Sequence, residues 1–234
     1  MKKVLLLAMT ALCVTNANAQ TTIEQPQPKK VRQLPQVVLK ANAGYGWRTA
    51  DIYEEFNDYM KDFITHLKSG FAWDASCDYF WHDKLGVRAI FYQYRASHSD
   101  FAQNLDTWEY GTLTIKDQIN YFGPAFVFRQ PFRDNTFIFD AHGGFGYMEY
   151  KSNLTFVSDK IKMNGSTLGA QMGAGLECRV IPQLGIGINM QMTIGTITIF
   201  HYETNGEKTT ETSEDKAEGL AQIKIGAGIR YYIK

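Results

Sequence analysis

The chain has 234 residues, with 24 Lys+Arg against 24 Asp+Glu and a formal net charge of zero. That length accommodates one domain or at most two, and the balanced charge gives no basic excess to neutralise phosphates, which disfavours a nucleic-acid binder. Hydrophobic residues at 44% and charged residues at 21% exclude a chain disordered by composition, and no run of about 18 apolar residues encodes a helical membrane span.

Residues 1–19 read as a secretory signal peptide. Lys2 and Lys3 form the positive n-region, Val4 to Val14 the apolar core, and Ala17-Asn18-Ala19 the cleavage site that leaves Gln20 as the new terminus. Leu12 before Cys13 is not the small residue that lipidation takes. Cleavage removes two lysines and no acid, leaving 22 basic against 24 acidic residues. Export makes a disulfide permissible. Cys77 and Cys178, however, match neither a disulfide framework nor a metal site, and read as small apolar strand residues. Residues 20–35 are polar, contain proline and lack hydrophobic period, so they read as a flexible segment.

From residue 36 the dominant signal is period two, which places alternate side chains on opposite faces of a strand. Eight segments carry it: 37–48, 70–80, 85–96, 113–129, 136–150, 166–180, 184–196 and 220–234. In the seventh, Leu184, Ile186, Ile188, Met190 and Met192 oppose Gly185, Gly187, Asn189, Gln191 and Thr193. The third is less clean, because Ile90, Tyr92 and Tyr94 share a face with Arg88, and a bulge or slip is expected there. In the fourth, Pro124 removes one ladder donor. The connections alternate: long at 49–69, 97–112, 151–165 and 197–219, short at 81–84, 130–135 and 181–183. A membrane barrel with short turns at one end and long loops at the other has this arrangement.

The fold class expected is all-β, an eight-stranded antiparallel transmembrane barrel with its apolar face turned outward. Three features favour that inversion over a soluble barrel. The polar face is mostly glycine with a few charges, which suits a narrow packed lumen. The aromatic residues Tyr45, Trp47, Phe71, Trp73 and Tyr147 lie toward the long loops, and Tyr79, Trp81, Phe128, Phe137 and Tyr231 toward the short turns, as two interfacial girdles. The strands also reach the 9–11 residues that a tilted crossing needs.

The stretches ANAGYGWRT, SGFAWDASCDYF, YFGPAFVFR and AQIKIGAGIRYYIK make residues 36–234 resemble the small eight-stranded outer-membrane β-barrels of the OmpX/OmpA type. The match is closest to the family described as the outer membrane protein β-barrel domain. Many such barrels end in a C-terminal aromatic, whereas here Lys234 follows Ile233. The resemblance implies a bacterial outer membrane location with both chain termini in the periplasm and no cofactor. It also implies outer-membrane lipids and lipopolysaccharide as neighbours, and barrel-assembly machinery during biogenesis.

Ten charged residues fall on the polar face: Lys40, Arg48, Asp74, Asp78, Arg88, Asp140, Glu177, Arg179, Lys224 and Arg230. They read as an ion-pair plug in the lumen in preference to a gated ion path. Asp140 and Glu177 are expected to answer the like charges brought together where the eighth strand meets the first. In 51–69, Ile52, Phe56, Tyr59/Met60, Phe63 and Leu67 recur at helical spacing. They predict a short amphipathic helix that either folds over the barrel mouth or meets a partner or the membrane surface. The acidic, Thr-rich stretch 202–219 reads as a solvated loop. His142 reads as a satisfied lumen residue, and His66, His82 and His201 form no metal constellation. Ser97, His98 and Ser99 raise the possibility of a lipid-modifying hydrolase, but neighbouring strand side chains point oppositely. The function expected is therefore non-enzymatic: an envelope barrel whose loops meet an extracellular partner or mediate adhesion. Behind it stand the lipid-modifying hydrolase, a soluble lipocalin-like binder and a narrow channel.

Overall fold

The computed structural model describes residues 34–49, 58–103, 110–157, 159–204, 207–212 and 218–233. The signal peptide and most of the flexible segment expected at 20–35 lie outside the described residues. In chain order the elements are β1 (Val37–Arg48), α1 (Asp58–Leu67), β2 (Ser69–Phe80), β3 (Leu85–Gln103), β4 (Tyr110–Phe132), β5 (Phe137–Phe156), β6 (Asp159–Arg179) and β7 (Leu184–Ile194). They continue with β8 (Thr196–Ile197), β9 (Ile199–Thr204), β10 (Glu207–Thr212), β11 (Glu218–Gly219) and β12 (Gln222–Ile233). Strands β1 to β7 and β12 close an antiparallel ring, with β12 paired to both β7 and β1. Strand β9 extends the sheet from the distal half of β6, β10 pairs β9, and β8 pairs β11.

The alternation of the sequence fixes which way the ring faces. Phe126, Phe145 and Leu168 are 74%, 77% and 82% exposed, while Ala125, Val127 and Gly169 beside them are buried. Apolar side chains on the outside of a closed ring belong to a lipid-facing surface, and this rules out the lipocalin-like reading, which needs them inside. Strand β7, at 11 residues, has the length of a tilted hydrocarbon crossing. Cys77 and Cys178 are free thiols on this outer face, as the strand reading expects.

The segments expected as loops at 97–112 and 151–165 differ from expectation, because they are mostly strand. Strands β3 and β4 stay paired out to Gln103↔Tyr110, and β5 and β6 out to Phe156↔Asp159. Only the polarity of the alternation changes. Beyond the row Phe91, Phe122, Tyr147 and Leu168, outward positions become polar (Gln93, Asn120, Glu149, Ser166) and inward positions become apolar (Leu113, Ile119, Met148). That is the pattern of a sheet wetted on its outer face. Strands β1, β2, β7 and β12 end near the row of inversion, so β3–β6, with β9 and β10, rise past it as a one-sided wall.

The inner side of the wall carries its own apolar core. Helix α1 contributes Phe63 and Leu67, β8 contributes Ile197, and Leu220 comes from beside β11; all are buried with Tyr94, Leu113, Ile119, Tyr150 and Phe200. Tyr94 Oη donates to Leu67 O at 3.0 Å, tying the last turn of α1 to β3. Phe63 and Leu67 of α1 therefore fold over the barrel mouth, while the side chains of Tyr59 and Met60 lie outside the described residues. Ile52 and Phe56 lie outside the described residues.

Two local expectations come out differently. The register of β3 is continuous against both β2 and β4, with no bulge, because Ile90, Tyr92 and Tyr94 are inward core residues rather than a slipped outer face. Pro124 has its effect on one side only. It stays paired with Ala89 of β3, but the β4–β5 ladder is interrupted at Gly123 and Pro124 opposite Phe145 and Gly146, where proline has no N–H to give. A Cβ on Gly123 would lie 2.6 Å from Gly146 Cα, so only glycine allows the backbones to approach this closely. The β4–β5 turn needs three successive left-handed residues, Arg133, Asp134 and Asn135, at φ of 51°, 56° and 60°.

Candidate functional site

The barrel interior is filled in layers. At the short-turn end, Val38, Phe80, Val127, Ile138 and Tyr232 form an apolar cap with Leu34 packed against it. Arg129 locks this end: its Nε donates to Asp83 O at 2.7 Å, its Nη1 to Pro35 O at 2.8 Å, and its guanidinium lies 3.7 Å from the centre of the Phe80 ring. The final residues of the segment expected to be flexible, Leu34 and Pro35, are thereby held to the barrel. Arg179 Nη2 donates to Pro182 O at 3.0 Å, and its guanidinium faces the Tyr232 ring.

Above the cap lies a layer of ion pairs. Arg88 grips Asp78 with two bonds, Nε to Oδ1 at 2.6 Å and Nη2 to Oδ2 at 2.8 Å, and reaches Asp140 Oδ1 at 2.8 Å. This fork matches the carboxylate in a way a lysine would not. Lys40 Nζ lies 3.2 Å from Asp78 and 3.1 Å from Asp140, and also pairs with Glu177. Arg230 is directly opposite Lys40 in the β1–β12 register, and its Nε lies 3.6 Å from Glu177. Tyr232 Oη donates to the other Glu177 oxygen at 3.1 Å. Arg88 Nη1 lies 2.7 Å from His142 Nδ1. Arg88 can only donate, so Nδ1 accepts and the His142 proton sits on Nε2.

Toward the outer end, Lys224 pairs with Asp74, whose oxygens also accept from Asn42 at 2.7 Å and Asn189 at 3.5 Å. Next comes an uncharged polar layer of Gln171, Gln191, Thr193 and Gln222, all buried, in which Tyr92 Oη donates to Gln222 at 2.8 Å. The mouth is closed by Arg48, which donates to Asp117 at 3.3 Å and to Gly219 O at 3.1 Å, pairs with Glu218, and faces the Tyr150 ring.

The structure places all ten sequence-selected charges inside, but not as one cluster. Lys40, Asp78, Arg88, Asp140, Glu177 and Arg230 come together; Asp74 and Lys224 form a second group; Arg48 and Arg179 stand at opposite ends. Arg129 and Asp117 were missed by sequence reasoning. Both continue the inward parity of Tyr121, Gly123, Ala125 and Val127 along β4, which is the signal that finds them. Of the aromatic residues, Tyr45, Trp47, Phe71, Tyr79, Phe128, Tyr147 and Tyr231 are exposed on the outer face. Trp73 and Phe137 are half-buried beside Phe91 and Phe132. Trp81 is exposed in the β2–β3 turn rather than on a strand.

No nucleophile–base pair forms at Ser97, His98 and Ser99. Ser99 Oγ is 2.9 Å from Thr114 Oγ1. His98 faces the other way, stacked on His66 with ring centres 4.6 Å apart and edge-on to Phe63 at 4.8 Å. Among the described residues no group of three or more His, Cys, Asp or Glu side chains is arranged to hold a metal ion.

Comparison with known proteins supports the same architecture. A major outer membrane protein from Thermus thermophilus is 12% identical, with a TM-score of 0.54 over 84% of this chain and 99% of that one. The outer membrane protein OprG from Pseudomonas aeruginosa is 12% identical, with a TM-score of 0.51 over 87% of this chain and 100% of the other. The outer membrane protease OmpT from Escherichia coli is also similar, at 10% identity and a TM-score of 0.48 over 71% of this chain and 65% of that one. No curated protein sequence matches. The model of the outer membrane protein beta-barrel domain matches residues 4–231. With that match on an eight-stranded ring that turns its apolar face outward, the chain belongs to the outer membrane protein β-barrel domain family.

Proposed function

We propose that the protein is a non-enzymatic structural component of the bacterial outer membrane, a closed barrel that carries an extracellular wall for interaction or adhesion. The observation that supports this reading is the filled interior: apolar cap, ion-pair layers, amide layer and mouth follow one another along the barrel. Eight strands leave only enough interior for side chains, and this interior is occupied by cross-strand contacts spaced along its length. The signal peptide at 1–19, the periplasmic chain termini, the barrel-assembly machinery and lipopolysaccharide as lipid neighbour belong to the same reading. The order of sequence features at residues 1–20 supports the signal peptide, and the short turns gathering at the end of the barrel that holds both Leu34 and Ile233 support the position of the termini, while the machinery and the lipid neighbour rest on the family alone.

The test is conductance across a planar lipid bilayer. The protein is expected to insert, run as a heat-modifiable band, and give no unitary current steps at high salt. Reproducible steps from the wild-type chain would replace the structural reading with a channel.

A further inference from the structure

Helix α1 meets the inner face of the wall through a pair of histidines. His66 lies in the last turn of α1 and His98 on β3, and their rings stack with centres 4.6 Å apart and planes 17° from parallel. Phe63, one turn earlier, meets the His98 ring edge-on at 4.8 Å and is itself buried. His98 is half-buried and His66 exposed, so protons reach the pair from solvent. On α1, Asp62 Oδ2 lies 3.9 Å from His66 Nε2, with Lys61 beside it and Lys68 just past the helix. On β3, Asp100 has the same parity as His98, and its Oδ1 accepts from the Phe101 N–H at 2.7 Å. On β4, Ile115 is directly opposite His98, and Asp117, two residues on, is held by Arg48 of β1 at 3.3 Å. Arg48 also pairs with Glu218 of β11. Strand β2 begins with Ser69 and Gly70, which do not titrate. Each of the three aspartates therefore already has a partner.

We propose that this pair makes α1 an acid-released lid: with both rings protonated, the helix leaves the wall and uncovers the apolar inner face. The stack suits neutral imidazoles, and histidine is the side chain whose charge changes between about pH 5 and 8. One proton is accommodated, because Asp62 and the C-terminal end of the helix both favour a cation on His66. A second proton on His98 then sets two like charges against each other across the 4.6 Å stack, where they repel. The contacts that hold α1 against this repulsion are few: Phe63 and Leu67 in the core, and the Tyr94 Oη bond to Leu67 O at 3.0 Å. The helix has 10 residues, too few for a helix to persist in water without packing, so release from the wall also frees its amides. The Arg48 contact at the mouth takes no part. Burial pushes the Asp117 carboxyl up, so a proton there favours the closed form rather than the open one.

The test is hydrogen–deuterium exchange of the full chain in phosphatidylcholine nanodiscs, read by mass spectrometry and corrected for the pH dependence of the chemical exchange rate. Protection of the amides at 61–67 is expected to fall about tenfold between about pH 7.5 and about pH 5.5, while the β3–β6 ladders stay protected. His98→Gln and His66→Gln each remove one of the two charges, and each is expected to keep α1 protection level across the same interval. His66→Gln alters an exposed position, so it reports on the pair even if His98→Gln loosens the helix at neutral pH. Wild-type protection that is the same at both pH values would overturn the proposal, as would a fall of undiminished size in His66→Gln. So would a loss of protection that spreads through β3–β6, which is general acid unfolding rather than release of a lid.

Discussion

Glu177 is the carboxylate on which Arg230 depends. Arg230 is buried, its Nε and Nη1 have no hydrogen-bond partner, and Glu177 is its ion-pair partner among the described residues. Lys40, by contrast, keeps Asp78 and Asp140 when Glu177 is lost. Removing one side of a buried pair leaves an uncompensated charge, at a cost of about 3–5 kcal/mol. Glu177→Gln is therefore expected to lower the urea midpoint of the folded, heat-modifiable band by that equivalent in lipid vesicles. An unchanged midpoint would show that the ion-pair layer is solvated. On the opposite face, Met190 lies midway along β7 and is 57% exposed. Met190→Arg is expected to cost about 2–4 kcal/mol in the same assay, whereas a soluble barrel would tolerate an arginine there. The ten lumen charges were legible in the sequence because parity along a strand decides facing. What parity could not supply was partnership. That Lys224 takes Asp74 while Lys40 takes Glu177 depends on the tilt and stagger with which strands cross the ring.

Among the elements, α1 and the distal halves of β3–β6 show where sequence reading stops and why. A reader following outward apolar residues loses β6 before Leu168, because Ser166, Asn164 and Lys162 are polar. The strand continues with its polarity reversed, for the solvent outside has changed from lipid to water. The helix at α1 was legible from its spacing, and its choice of surface was not. Phe63 is 1% exposed against the inner face of the wall, so Phe63→Ala is expected to cost about 3–5 kcal/mol of local docking energy. Limited proteolysis should then cut near α1 while the barrel remains heat-modifiable. Resistance equal to that of the wild type would mean that Leu67 and the Tyr94–Leu67 hydrogen bond suffice. Pro124 was legible as a missing donor, but its confinement to the β5 side follows only from the register.

For the molecule as a whole, two solvents act on one continuous sheet. The same strands that expose phenylalanines to lipid bury tyrosines and leucines a few residues later. The asymmetric wall results, because β1, β2, β7 and β12 end near the crossing point while their neighbours go on. The expected orientation places the long hairpins and α1 outside the cell and the short turns on the periplasmic side of the outer membrane. Its most direct test is labelling of intact cells with a membrane-impermeant maleimide, in a background carrying Cys77→Ala and Cys178→Ala. Ser99→Cys on the wall is expected to be labelled on intact cells. Asp134→Cys in the β4–β5 turn is expected to be labelled only after the outer membrane is permeabilised. Labelling of Asp134→Cys on intact cells, or protection of Ser99→Cys, would contradict the orientation and with it the outer wall.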